Sequence, residues 1–358
     1  MQNKLKFYRI QFYILFISVV ITKTFFSTDF SYADSFEVDN IEVSKQFDIN
    51  FNKNDVIDDG FNLAFQNLIL KIIKTKDQKK LEKISRNQLK SMIDYFSIKE
   101  EKFINDIYYV NLDVNFSKKK VYSFLEKQNI FPSLPKKKKL LLIPILIDEN
   151  KNDVILFSEN IFFNNWNNEK NNYSQLKFIL PIEDLDDVTK IKSKFEFIED
   201  YNFTEIIDKY SINDYIIVLI YKSKDSIKVL SKINLNNNLK IDNQLFENQS
   251  IKSSTEVEKI IFKLKNVYED YWKENNQINT SIKLPITIAI NSKNNTKISN
   301  FERDLFNFDL VSSFNVYKID NEKTFYKIIF NGTPKSFILQ IQNLGYQLDL
   351  QNQIWILK

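Results

Sequence analysis

The chain has 358 residues, of which 43% are hydrophobic and 15% aromatic, and its formal net charge is +4 at pH 7. This length allows two or three domains of about 100 to 200 residues each. Cysteine and histidine are absent and only three glycines occur, which excludes zinc sites with the usual ligands, cysteine- or histidine-dependent nucleophiles, iron–sulfur clusters and glycine-rich phosphate loops.

The basic residues do not indicate a nucleic-acid surface. Only three of the 50 are arginine, at positions 9, 86 and 303, whereas nucleic-acid surfaces favour arginine for bidentate contacts to bases and phosphates. Residues 1–33 hold four basic residues and one acidic residue, a net charge of +3 out of the total of +4. The remainder of the chain is therefore close to neutral.

The N-terminal segment has the pattern of a secretory signal peptide. Basic residues lie within 4–9, an apolar core covers 10–21, and small residues precede a cleavage site between Ala33 and Asp34. An uncleaved anchor extending through 22–26 is the alternative, although Lys23 interrupts a span that needs about 20 apolar residues. A buried helix of a soluble domain is the third interpretation.

The export signal predicts a periplasmic location, with inner-membrane anchoring by an uncleaved segment as the alternative. Without cysteine, the mature protein has no lipid-modified N-terminus and no disulfides. A Gram-negative periplasm permits disulfides but does not require them.

An N-terminal α/β region is predicted over 34–135. Alternating or 3-to-4-spaced apolar residues predict five elements: a strand at 36–43, a helix at 54–74, a helix at 77–96, a strand at 107–116 and, after an N-cap at Ser117, a helix at 118–129.

Eight consecutive apolar residues at 140–147 predict the central strand of the protein, buried on both faces. Proline lacks the N–H that a strand ladder needs, so the strand is predicted over 139–147 with a break near Pro144. Together with the strand at 107–116 and the helix after it, this strand predicts a β-α-β unit.

A central α/β domain is predicted over 136–280. After the central strand, the pattern predicts a helix at 160–166, a strand at 176–180, an acidic loop at 182–187, a helix at 203–210, a strand at 215–221, further strands at 227–233 and near 245–246, and a long helix from Ser254.

A C-terminal ferredoxin-like domain, with a split β-α-β order of elements, is predicted over 281–358. A capping box at 299–302 starts its first helix, Thr333 caps the second, and Gly345 ends the second in a left-handed turn. The inner face of the second helix is predicted to carry Phe337, Ile341 and Leu344. The last strand is followed by 351–353, where the chain can fold back to place Trp355. The fold class is thus α/β to α+β.

Three clusters have a functional and a structural interpretation. The acidic residues Glu183, Asp184, Asp186 and Asp187 offer hard oxygen ligands for a cation, but they lack EF-hand spacing, and a solvated loop is the simpler interpretation. The lysines at 136–139 suit either an anionic lipid surface or a charged guard beside an aggregation-prone strand. Phe162, Phe163 and Trp166 suit either an exposed docking patch or core packing.

Several hydrophobic patterns, at 110–116, 121–125, 140–147, 180–188 and 212–218, resemble those of an uncharacterised proteobacterial envelope family. That family is catalogued as the two-thousand-and-sixty-sixth domain of unknown function. The order of elements from 140 to 275 is also similar to that of TolB-type N-terminal, curli-secretion and penicillin-binding-protein-activator domains. The resemblance implies an assembly or scaffold factor.

The sequence therefore predicts a non-enzymatic periplasmic module that binds other envelope proteins, with no catalytic residues, cofactor, metal or nucleic acid. The alternative is a hydrolase of envelope glycans that uses two carboxylates about 5 to 10 Å apart.

Overall fold

The computed structural model describes residues 36–81, 84–168, 174–224, 226–247, 251, 253–308, 310–350 and 354–358. The predicted signal peptide, with Ala33 and Asp34, lies outside the described residues. The described helices and strands build three mixed or antiparallel sheets, which confirms the predicted α/β to α+β class. The domain boundaries stay predictions.

The first sheet is antiparallel, with strand order β1-β3-β2. Its strands are β1 (Glu37–Gln46), β2 (Ile93–Ile104) and β3 (Ile107–Phe116). The helices beside it are α1 (Lys53–Ile72), α2 (Thr75–Gln78), α3 (Arg86–Met92) and α4 (Lys118–Lys127), with a 3-10 turn at Lys79–Leu81. Ser117 lies at the N-cap of α4 as predicted, but its side chain makes no capping hydrogen bond.

The predicted helix at 77–96 is wrong. The segment breaks into α2, the 3-10 turn and α3, and the chain then enters β2 at Ile93. A tight turn at Asn105 and Asp106, with φ of 50° and 59°, returns the chain into β3. Two positive φ values are what a two-residue hairpin turn requires, and the long-range pairing with β3 overrides the helical spacing of the apolar residues.

The second sheet has the order β5-β4-β7-β8-β9, and β6 pairs with the first part of β4. Its strands are β4 (Lys138–Asp148), β5 (Asp153–Ile155), β6 (Leu176–Ile179), β7 (Tyr215–Lys222), β8 (Ser226–Leu235) and β9 (Asn238–Glu247). Its helices are α5 (Ile161–Asn165), α6 (Leu185–Lys192), α7 (Thr204–Asp208) and α8 (Ser254–Asn275). Short 3-10 segments cover Phe157–Glu159 and Phe195–Asp200.

β4 is buried on both faces, as predicted. Leu140, Leu142 and Leu146 pack in the core under α8, whereas the alternate residues of the strand pack in the core on the opposite face. The predicted β-α-β unit is wrong, because β3 and β4 belong to different sheets.

The predicted break at Pro144 is also wrong. β4 runs through it, and Pro144 stays in register with Val218 of β7. On the other side of β4, β6 pairs only as far as Leu141 and β5 pairs only from Leu146. Pro144 lies at this gap, where the strand ladder needs no N–H, and its carbonyl accepts a 3.0 Å hydrogen bond from Nδ2 of Asn160.

The third sheet has the order β11-β12-β10-β14-β13. Its elements are β10 (Leu284–Asn291), α9 (Asn295–Asn307), β11 (Val311–Ile319), β12 (Lys323–Phe330), α10 (Pro334–Asn343), β13 (Leu348–Asp349) and β14 (Trp355–Leu357). β12 lies between β10 and β11, the split arrangement that was predicted, and both helices pack on one face.

Two details of the C-terminal prediction were wrong. α9 begins after Asn294, whose side chain accepts from the N–H of Lys297, rather than at the predicted capping box. Leu344 is exposed instead of facing inward. The fold-back that places Trp355 is confirmed, and it forms a fifth strand, since β14 pairs antiparallel with β13 and parallel with β10. The Thr333 cap and the left-handed Gly345, with φ of 85°, are confirmed.

Candidate functional site

A cleft of about 930 Å³ lies where the first sheet layer meets the second. Its lining comes from the end of α1, α2, the approach to β4, the residues around β6, and one stripe of α8. The α8 stripe consists of Phe262, Lys265, Asn266, Glu269 and Lys273, which share one side of the helix because each lies three or four residues from another member. We call this cavity the lysine cleft.

The C-terminal half of α8 holds the two layers together beside the cleft. The ammonium of Lys273 donates a 2.6 Å hydrogen bond to the carbonyl of Leu70 at the end of α1. Oδ1 of Asp270 accepts from the backbone N–H of Thr75 at 2.8 Å and from its hydroxyl at 3.1 Å. The cleft is therefore fixed at its base by charged hydrogen bonds between layers.

Glu269 orders the chain that enters β6. Its Oε1 accepts a 2.8 Å hydrogen bond from the backbone N–H of Leu176 and a short one from the hydroxyl of Ser174. On the neighbouring wall, the indole N–H of Trp272 donates to the carbonyl of Lys136 at 2.8 Å. These bonds fix the backbone of two strand entries, so the lysines that follow project from a rigid support.

The charge of the lysine cleft is strongly unbalanced. Six of its described lining residues are lysines, and Glu269 is the one carboxylate among them. The lysines are Lys137, Lys138, Lys139, Lys177, Lys265 and Lys273. Lys138 forms an ion pair with Asp214, and Lys139 lies beside Lys177 in the parallel pairing of β4 with β6. Adjacent like charges on paired strands repel. Because Leu140 and Phe178 pack under α8, the side chains of Lys139 and Lys177 project from the other face of this sheet.

Two lysines at and beside the cleft have lowered pKa values, and burial is the main cause of both shifts. Burial lowers the pKa of Lys273, which is 5% exposed. Burial also lowers the pKa of Lys71, beside the cleft on α1, and the positive charge of Lys137 lowers it further. The Lys273 shift reflects burial, which Glu269 and Asp270 partly offset, and only the Lys71 shift reports a positive neighbour.

The lysine run lines a cleft, a position that the sequence analysis did not predict. Lys138 and Lys139 belong to β4 rather than to a guarding loop, and Lys137 to Lys139 line the cavity. The stripe on α8 was missed, because its signal is only a polar band next to the apolar face that packs on the sheet.

The interpretation of the acidic cluster at 183–187 as a solvated loop is wrong in part: Glu183 and Asp186 are exposed, but a helix begins at Leu185. Asp184 caps α6 by accepting from the N–H of Asp186, and Asp187 is buried in its first turn. Lys209 lies between the two carboxylates, 2.8 Å from Asp184 and 2.7 Å from Asp187. Its hydrogen bond lowers the pKa of Asp184, and its ammonium takes the position that a cation would need.

Another group of carboxylates was not predicted. Oxygens of Glu37, Asp39 and Asp113 lie within 4.8 Å of one another on the first sheet. Lys99 contacts Oδ2 of Asp113 at 2.7 Å, and the N–H of Asn40 donates to its Oδ1 at 2.9 Å. Both oxygens of Asp113 are thus already engaged, and the group carries no assignment.

The aromatic group packs in the core, as the structural interpretation predicted. Phe162 and Trp166 are fully buried under α8, and the Trp166 ring stacks on Tyr268 with centroids 6.3 Å apart. A docking patch at these residues is excluded by their burial.

A glycan hydrolase requires two carboxylates facing each other across the substrate. Glu269 is the single carboxylate among the described residues of the lysine cleft, and its Oε1 is engaged by the backbone of β6. The described lining therefore offers a binding geometry rather than an acid–base pair.

The comparisons with known proteins leave the family open. No family model matches the chain, and no curated protein matches it. A solved structure titled "Crystal structure of uncharacterized protein" is similar at 9% identity, over 40% of this chain and 95% of that chain, with a TM-score of 0.16. The resemblance to the domain-of-unknown-function family stays a prediction. In the part of the chain that the structure describes, no helix combines the length and apolarity needed to cross a membrane.

Proposed function

We propose that the protein is a non-enzymatic, exported envelope protein that binds an acidic segment of a partner protein in the lysine cleft. The observation that carries this proposal is the charge of the cleft, six lysines against one carboxylate among its described lining residues. Positive clefts with low-dielectric walls concentrate anions and accelerate their association.

The shape of the cleft favours a chain segment over a lipid surface. The cavity is recessed between two sheet layers, and its polar wall on α8 is flanked by the partly exposed ring of Phe262. A flat anionic membrane meets only the rim of such a recess, whereas an extended peptide can enter it. A mixed lining of lysines and one aromatic suits a peptide with both acidic and apolar side chains.

Binding is tested with a fluorescent acidic peptide and a charge-reversal pair, Lys137→Glu with Lys177→Glu. Both lysines are exposed lining residues. We expect Kd to rise at least about tenfold, which corresponds to about 1.4 kcal/mol, and the affinity of the parent to fall as salt increases. A circular-dichroism melt confirms that the variant is folded.

The matched control is Lys293→Glu with Lys335→Glu, which makes the same change in net charge at exposed positions outside the cleft lining. We expect it to change Kd less than about twofold, because exposed charges beyond a Debye length are screened. Equal losses in the two double variants would show that net charge, and not the cleft, controls binding.

Export is the second part of the proposal and rests on the signal pattern at 1–33. We expect mass spectrometry of envelope-fraction protein to find Asp34 as the first residue. An intact Met1 terminus in washed membranes would instead establish the anchored form.

A further inference from the structure

The outer edge of the first sheet is a long exposed strand. β2 has 12 residues and pairs with β3 on one side, while no described strand pairs with its other side. Large apolar residues on β2 are unusually exposed. They are Tyr95 at 58%, Phe96 at 44%, Ile98 at 39%, Phe103 at 57% and Ile104 at 46%. Such an edge is a template for pairing with another strand.

A bulge in β2 decides which residues share a face. Ile98 pairs with Leu112 and Glu100 pairs with Asn111, so Lys99 is an extra residue. Because of this extra residue, Phe96 before the bulge and Phe103 after it lie on the same, helix-covered face of the sheet.

We propose that β2 pairs antiparallel with β2 of a second copy, around a two-fold axis between Lys99 and Glu100. Residues opposite each other in antiparallel strands must lie on one face, and the bulge makes this register meet that requirement. The register brings together Lys99 with Glu100, Phe96 with Phe103, and Tyr95 with Ile104. Opposite-charge and aromatic cross-strand pairs are the favourable ones, and the two-fold axis makes each of them occur twice.

The groove beside β2 supports pairing with a second copy of the chain. A cavity of about 640 Å³ lies between α1 and β2, with Phe61 and Phe96 in contact at a centroid distance of 4.9 Å. In the proposed pair both α1 helices lie on the same side of a continuous six-stranded sheet. They flank Phe96 and Phe103 of both β2 strands, which each copy alone leaves partly exposed.

Another edge strand, β9, is less self-complementary. It exposes Leu239, Ile241 and Leu245, but the register that brings Leu239 opposite Leu245 also places Asp242 opposite its own copy. Like charges directly opposite are destabilising. β9 therefore provides the control position.

Self-association is tested by sedimentation velocity of the full chain over a concentration series. We expect a concentration-dependent dimer, and we expect Glu100→Lys to weaken it at least about tenfold, because this substitution faces Lys99 of the other copy at two places. Glu100 is 61% exposed, so the fold tolerates the change. The matched control, Glu247→Lys at the exposed end of β9, should leave the dimer constant within about twofold.

The register is tested by measuring the distance between two nitroxide spin labels, one on each copy. Because the chain has no cysteine, a single introduced cysteine carries the only label in each copy. In the proposed register Ser97 faces position 102 of the second copy. The bulge makes residues 97–102 of β2 span only four residues of β3, from Asp113 to Tyr109, so the labelled positions in Ser97→Cys lie about 14 Å apart along the strands, at about 3.4 Å per residue. A label on Ser281→Cys should give no such short distance.

A monomer at every concentration overturns the proposal. So does a dimer that Glu100→Lys leaves intact, or a Ser97→Cys distance far from this value. The cleft proposal is independent of these results, since none of its residues lies on β2.

Discussion

Asn160 joins the central strand to α5 through two hydrogen bonds, and its removal should cost about 2 to 4 kcal/mol. Its Oδ1 accepts from the N–H of Phe162 at 2.9 Å and so caps α5, and its Nδ2 donates to the carbonyl of Pro144 at 3.0 Å. Asn160 is fully buried. Losing a cap costs about 1 kcal/mol, and leaving a buried carbonyl without a donor costs about 1 to 3 kcal/mol more.

The assay is urea unfolding of Asn160→Ala, monitored by tryptophan fluorescence. The signal reports on the core between α8 and the second sheet, because Trp166 and Trp272 lie in it. The matched control is Asn164→Ala, which removes an exposed hydrogen bond to the carbonyl of Ser158 and should cost less than about 1 kcal/mol. Equal losses in the two variants would refute the role assigned to Asn160 at the ladder gap.

Asn160→Asp separates the two contributions. It keeps the cap acceptor but replaces the donor to Pro144 with a carboxylate, and burial should raise the pKa of that carboxyl in the folded state. The folded state then binds more protons than the unfolded state. The deficit in stability should therefore shrink as the pH falls through the raised pKa.

Three further substitutions test other packing and charge contacts. Gly60→Ala should destabilise by about 1 to 2 kcal/mol in urea unfolding, because its Cβ would lie 2.5 Å from Cδ1 of Leu112 and this overpacking exceeds the gain in helix propensity. Gly345→Val should cost about 1 to 3 kcal/mol from the positive φ alone, since no atom lies within 4 Å of the added Cβ; a thermal melt equal to that of the parent would contradict this. Lys209→Met should leave the buried Asp187 without its partner and cost about 1 to 3 kcal/mol, less than a fully buried pair because Lys209 is 38% exposed. In the parent, Lys209 lowers the pKa of Asp184, so stability is lost as Asp184 is protonated at low pH. The Lys209→Met variant lacks this contribution, so its urea midpoint should decrease less between pH 7 and pH 3 than that of the parent. An unchanged pH profile would contradict the assignment.

The sequence predicted the buried strands well and the exposed edges poorly. β4 and β7 carry continuous apolar runs because both faces are covered. β2 has no such pattern, since most of it is exposed at an edge, and its apolar residues happen to continue a helical spacing. The Asn105–Asp106 turn was the signal that could have identified the hairpin, because these residue types tolerate positive φ.

The mistaken β-α-β unit has a related cause. β3 alternates along its second half and so has one core-facing side, whereas β4 is apolar throughout. Strands with such different patterns belong to differently covered sheets, and this difference was a better guide than chain order.

The lysine cleft was only partly visible from the sequence. The run at 136–139 was evident, but Lys265 and Lys273 are more than 100 positions away on α8. These lysines approach the run at 136–139 because α8 packs on the second sheet and also contacts α1, where Lys273 donates a hydrogen bond to the carbonyl of Leu70. That tertiary contact has no local sequence signal.

Site-specific photocrosslinking in native envelopes tests the proposed binding role most directly. A photoreactive phenylalanine analogue at Phe262, a lining residue of the lysine cleft that is 43% exposed, is compared with the same analogue at Phe306, which is 77% exposed and lies outside the cleft lining. The cleft account predicts that position 262, and not 306, captures one partner at a segment rich in Asp and Glu, and that Lys137→Glu with Lys177→Glu abolishes the adduct. Identical adducts from both positions, or capture of a neutral or basic segment at 262, would contradict it.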